Sequence, residues 1–180
     1  AANAAVIEAA LNGLGKPGMG CTATCAYIEN DTLAIAHVGD SRAYLLHEGT
    51  LIRVTRDHSY VEELVDAGEI TADEARVHPN RSVITRALGS DPAMYADHFT
   101  LHIEEGDRLI LCSDGLSSMI PDSDIENIAT QSSSAQICVD NLVDAALAAG
   151  GHDNVTVVVV DLVDDGVMRE AKRVRRRNVT

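Results

Sequence analysis

The chain has 180 residues, 46% of them hydrophobic, which suits a single domain large enough to bury a core without disulfide or metal staples. Its formal net charge of −14 argues against nucleic-acid binding by the body of the domain, because phosphate backbones demand a basic face. No apolar run reaches bilayer-spanning length, no secretory leader opens the chain, and the four cysteines (21, 25, 112 and 138) show no zinc-ligand or disulfide spacing, so a soluble, cytoplasmic protein with reduced, mostly buried thiols is expected.

Residues 1–14 are Ala-rich, with Val6, Ile7, Ala10, Leu11 and Leu14 at helical spacing, and predict a helix that starts without a cap. The glycine turn Gly15-Lys16-Pro17-Gly18-Met19-Gly20 leads into a strand. It lacks the Lys-Ser/Thr pair of a phosphate-binding P-loop, which weakens that reading. Asn30-Asp31 predicts a hairpin turn before the next strand, and Glu48-Gly49-Thr50 a second one, so the first third of the chain reads as an antiparallel meander. His37 and His47 alternate with apolar neighbours and read as packing or surface residues.

Ser59 predicts the N-cap of a helix carrying Val61, Leu64 and Val65 on one face, stopped by Gly68. Thr71-Ala72-Asp73-Glu74 is a capping-box pattern for a second short helix, which His78-Pro79 ends. This helix pair, residues 57–81, has few large apolar side chains and predicts a mobile flap over a sheet edge. Its acidic second helix argues against a DNA-binding helix-turn-helix.

Residues 99–103 alternate as a strand, and Glu104-Glu105-Gly106-Asp107 turns the chain into Leu109-Ile110-Leu111-Cys112-Ser113-Asp114-Gly115. Four buried-type residues in a row predict a central strand, and Ser-Asp-Gly a tight exit turn that leaves Asp114 at the strand end. Helical patterns follow over Ser117-Ser118-Met119-Ile120, from Pro121 through Ile128 and over residues 135–149, the last closed by Gly150-Gly151. Asp153 then stands at the mouth of a β-branched run, residues 155–160. Asp40 likewise follows a strand and a glycine, in Val38-Gly39-Asp40. Three carboxylates thus share strand-end placement beside glycine, which suits hard cations that prefer oxygen ligands. Ordinary Asp-Gly and Asp-Asn turn chemistry is the competing reading. The last segment, 166–180, carries six Lys or Arg residues. It reads as a solvated basic tail or linker, with a juxtamembrane segment drawn to anionic lipid as the alternative.

The words His37-Val38-Gly39-Asp40-Ser41-Arg42, Cys112-Ser113-Asp114-Gly115-Leu116 and Gly150-Gly151-His152-Asp153-Asn154-Val155-Thr156-Val157 resemble, in order and spacing, the signatures of the metal-dependent serine/threonine protein phosphatases of type 2C, bacterial members above all. The resemblance runs from about residue 19 to residue 162. It implies an α+β fold, a β-sandwich of two antiparallel sheets flanked by helices, occupying residues 1–165. It further implies that Asp114 and Asp153 are metal ligands, that Asp40 serves a third, more weakly held ion, and that Gly115 and Asn154 are supporting motif residues. The implied cofactors are Mn²⁺ or Mg²⁺, two ions and a third. The implied reaction is attack of a metal-activated water on phosphoserine or phosphothreonine of proteins, without a protein nucleophile. The implied partners are phosphoprotein substrates and an opposing serine/threonine kinase, with no nucleic acid, and with a membrane tether, if one exists, outside this chain.

Family members carry upstream an early Asp, an Asp-Gly-x-Gly-Gly word whose Asp bridges both metals, and a basic phosphate-binding residue. None of these words occurs in the 180 residues. The chain therefore reads as a piece of an active enzyme, lacking N-terminal strands and weak or inactive alone. A pseudophosphatase or regulatory binding module that keeps the fold without a complete dimetal site is the alternative.

Overall fold

The computed structural model describes residues 1–163; the basic segment 166–180 lies outside the described residues. Seven strands and six helices are formed among them. The four strands expected in the first third form, β1 (Ala23–Glu29), β2 (Thr32–Val38), β3 (Arg42–His47) and β4 (Thr50–Arg53), but not as one meander: β1 and β2 pair as one hairpin, β3 and β4 as another, and the chain changes sheet between β2 and β3. Asn30 and Glu48 hold positive φ of 55° and 48°, the backbone that two-residue hairpins need.

Two antiparallel sheets result. One has the order β1-β2-β5, with β5 spanning Asp97–His102. The other has the order β4-β3-β6-β7, with β6 at Arg108–Cys112 and β7 at Val157–Asp161. Period-two alternation decides what each face meets. Leu33 and Ile35 of β2 pack against Ala43, Leu45 and Leu109 of the other sheet to form the sandwich interior. The opposite face of β3 and β6, Tyr44, Leu46, Ile110 and Cys112, is covered by helices carrying Leu116, Ile125, Cys138, Leu142 and Ala146. Burial of each such aliphatic side chain stabilises the fold by about 1.5–3 kcal/mol, so this double-sided coverage explains why β6 reads as an unbroken apolar run.

Those covering helices are α4 (Asp114–Ser117), α5 (Asp122–Gln131) and α6 (Ala135–Ala148). The sequence predicts an exit turn after β6 and then a helical stretch over residues 117–120; the helix, α4, instead begins already at Asp114. Helix α5 also outlasts its expected end at Ile128, because Ser132 closes it with its amide and hydroxyl on the Ile128 carbonyl. Helix α1 (Ala2–Leu11) has no side-chain cap and no buried residue. It is held to the body through Asn3, which donates to the Asp91 carbonyl at 2.8 Å and accepts from the Gly89 amide at 2.7 Å.

The two helices expected within residues 57–81 form as read. Helix α2 (Tyr60–Asp66) is capped by Ser59, and α3 (Ala72–Val77) by a complete Thr71–Glu74 capping box. The thiols divide differently from expectation: Cys112 and Cys138 are buried, but Cys21 and Cys25 are exposed. Both exposed ones lie at or just before β1, which pairs only with β2 among the described residues. Among those residues no helix is long and apolar enough to cross a membrane.

Candidate metal centre

Asp114 lies within electrostatic reach of both Asp40 and Asp153, and the chain passes from one sheet to the other at Asp40. Strand β2 leaves the three-stranded sheet at Val38, and β3 joins the four-stranded sheet at Arg42. Asp40 sits in the crossing. Its predecessor Gly39 has φ of 110°, a conformation that favours glycine, and a β-carbon there would overlap Thr22. Strand β6 ends one residue before Ser113 and Asp114, and its neighbour β7 begins shortly after Asp153.

Ser113 stitches the last two loops together. Its amide donates to the Thr156 carbonyl at 3.0 Å, its hydroxyl donates to the Asn154 carbonyl at 3.1 Å, and the hydroxyl oxygen accepts the Thr156 amide at 3.0 Å. Asp153 fixes its own turn by accepting the Asn154 amide at 2.7 Å. Asn154 thus acts through its backbone, and Gly115 leaves room for it.

The electrostatics are those of crowded carboxylates. Burial pushes the Asp40 carboxyl up to about 6, helped by the charges of Asp114 and Asp57. Asp114 is also raised, first by burial and then by Asp153. None of the three forms an ion pair among the described residues. Arg42, two residues after Asp40, is already engaged by Asp57 at 2.8 Å and Asp122 at 3.3 Å. Like charges held together in a half-buried place destabilise one another, and a cation relieves this.

The donor chemistry suits a divalent ion that keeps several waters, since it is all carboxylate oxygen with solvent beside it. Among the described residues no three His, Cys, Asp or Glu side chains are grouped closely enough to hold an ion. The three carboxylates do not by themselves form a closed cage.

Three contributors escaped the sequence reading. Ser113 ties the two carboxylate loops, Asp57 adds charge beside Asp40 and Asp114, and His58 contacts the Gly39 backbone. Asp57 and His58 lie just before the Ser59 cap, a position that signals only a helix start. Cys112, by contrast, is the buried strand residue expected. Burial raises its thiol to about 12, which leaves no thiolate nucleophile at neutral pH.

The family model described as protein phosphatase 2C matches residues 12–155. The serine/threonine phosphatase stp of Listeria welshimeri is 40% identical over 144 residues, covering 80% of this chain and 57% of that protein. The crystal structure of the Mycobacterium tuberculosis serine/threonine phosphatase PstP/Ppp superposes with a TM-score of 0.84 at 40% identity, covering 90% of this chain and 68% of that one. The catalytic domain of PstP in complex with two manganese ions gives a TM-score of 0.82 at 38% identity, over 90% of this chain and 67% of that one. The chain thus spans just over half the length of the Listeria relative.

Proposed function

Because the chain belongs to the protein phosphatase 2C family, we propose that the whole protein hydrolyses phosphoserine and phosphothreonine on proteins with the help of Mn²⁺ or Mg²⁺. Asp114 and Asp153 would hold two ions, and Asp40 a third. The observation that supports this reading is that Asp114 is coupled electrostatically to both Asp40 and Asp153, none of the three in an ion pair among the described residues, with Asp40 raised to about 6. When bound, divalent ions acidify water and neutralise charge on the phosphoryl oxygens.

The chain's own residues supply placement. Gly39 and Gly115 let backbone approach where a side chain would collide, and Ser113 keeps Asp114 beside Asp153. Cys112, buried and with its thiol raised by that burial, takes no part as a nucleophile. Substrates are phosphoproteins, opposed by a serine/threonine kinase, and the reaction runs in the cytoplasm.

The test is release of inorganic phosphate from a phosphothreonine peptide by the full-length protein, with Mn²⁺ and with a chelator. Hydrolysis that requires the ion supports the reading. Absence of hydrolysis with Mn²⁺ or Mg²⁺, or hydrolysis that survives metal removal, contradicts it.

A further inference from the structure

The loop bearing Asp40 is gripped from both sides by buried histidines. On one side, the Gly39 amide donates to His58 Nδ1 at 3.0 Å while the His58 amide donates to the Gly39 carbonyl at 2.8 Å. An amide can only donate, so Nδ1 is an acceptor and the ring proton sits on Nε2. Nε2 lies 3.0 Å from Asp97 Oδ2 and donates to it. Arg86 Nη1 also stands 3.0 Å from Nε2, but two donors cannot bond each other; the guanidinium instead donates to Asp97 Oδ1 at 2.6 Å and stacks on Tyr95.

On the other side, His37 Nε2 is 3.0 Å from the Arg56 carbonyl and must donate to it, leaving Nδ1 to accept from the Thr24 hydroxyl at 2.9 Å. Thr24 in turn accepts from the Ser41 hydroxyl at 2.8 Å. In this assignment the Thr24 hydroxyl gives its one proton to His37, so its 3.3 Å approach to the Ser41 carbonyl carries no bond. The two rings lie 5.0 Å apart, centroid to centroid, with His37 fully buried and His58 only 7% exposed. Gly39 and Ser41 are therefore both pinned, and Asp40 is the residue between them.

We propose that His58 is a positioning residue for Asp40: oriented by Asp97 and Arg86, its ring fixes the Gly39 amide and so aims the Asp40 carboxylate at its ion. The inference rests on the reading of Asp40 as an ion ligand. Its bond is to backbone rather than to the ion, which is how residues around a metal site set ligand orientation, and loss of such partners costs 10–100-fold in affinity as a rule. His58 also joins this loop to the flap, because its carbonyl accepts the Thr85 amide at 2.8 Å and Ser59 follows as the α2 cap.

The experiment is Mn²⁺ titration calorimetry on the full-length protein, comparing wild type with Asp40→Ala, His58→Ala, His58→Asn and His58→Gln, together with hydrogen exchange of the Gly39 amide. His58→Ala should weaken, about tenfold or more, the Mn²⁺ site that Asp40→Ala removes, leave the remaining sites unchanged, and speed Gly39 exchange. Asn places an oxygen near the Nδ1 position and should restore binding; Gln places its polar end near Nε2 and should not. If His58→Ala does not fold, the Asn and Gln variants decide alone. Equal binding by both, or uniform weakening of all sites, overturns the positioning role. Mn²⁺ binding by Asp40→Ala identical to wild type overturns the ligand reading of Asp40 itself, and the inference falls with it.

Discussion

The α-carbon of Gly115 is packed so closely on the Asn154 carbonyl that a β-carbon at position 115 would overlap its oxygen and crowd the Val155 backbone. The obstacle is backbone, which cannot rotate aside as a side chain can. Gly115→Ala must therefore push the α4 start away from the β7 approach, separating Asp114 from Asp153. We expect a loss of about 1–3 kcal/mol of stability and weaker Mn²⁺ binding, measured by urea denaturation and calorimetry. Unchanged stability and binding would show that the two loops move independently.

Asp40 gives the metal-free protein a defined pH response. Its folded carboxyl titrates at about 6, against 3.8 for an unperturbed aspartate. The folded state therefore binds this proton more tightly, so the stability it contributes is fully present below about 3.8 and is lost as pH rises through about 6. Asp40→Asn removes that loss. Metal-free Asp40→Asn should gain stability relative to wild type as pH is raised across this window, and Mn²⁺ should favour wild type instead. Denaturant midpoints compared between the two proteins from acid to neutral pH check this; a constant difference would contradict it.

Of the two helices in residues 57–81, α3 is the more loosely attached. Helix α3 has no buried residue, and Arg76 reaches across to the Ser117 and Ile120 carbonyls at 3.3 and 3.4 Å. Sparse burial implies local opening well below the global stability. Amides of α3 should exchange long before those of β6, whose Leu109 and Ile110 are 2% and 0% exposed, and Arg76→Ala should widen the gap. Protection of α3 equal to that of β6 would rule out a loosely held flap.

Much of this arrangement was legible in the chain because it is local. The Ser59 and Thr71 caps, the two-residue turn at Asn30-Asp31 and the apolar run into Asp114 each carry their cause within a few residues. β7 was legible in kind but begins at Val157 rather than at residue 155, since the Thr156 amide is drawn onto Ser113. Helix after Asp114 was legible over residues 117–120, but its start at Asp114 itself was not, as Leu116 is committed by packing on helices that come later. Nor were the His58–Gly39 clamp and the Ser113–Asn154 stitch, which join residues 19 and 41 positions apart. Such pairs carry no period and no dipeptide signature.

The most direct test of the account is turnover of a phosphothreonine peptide at saturating Mn²⁺ by the full-length protein, wild type against Asp114→Asn. The substitution keeps the side chain's shape and removes one charge facing Asp153. If the ions held by these carboxylates carry the chemistry, kcat should fall by about two orders of magnitude or more, with an unchanged far-ultraviolet circular dichroism spectrum. Full Mn²⁺-dependent turnover in Asp114→Asn would contradict the assignment of this edge of the sandwich as the metal centre.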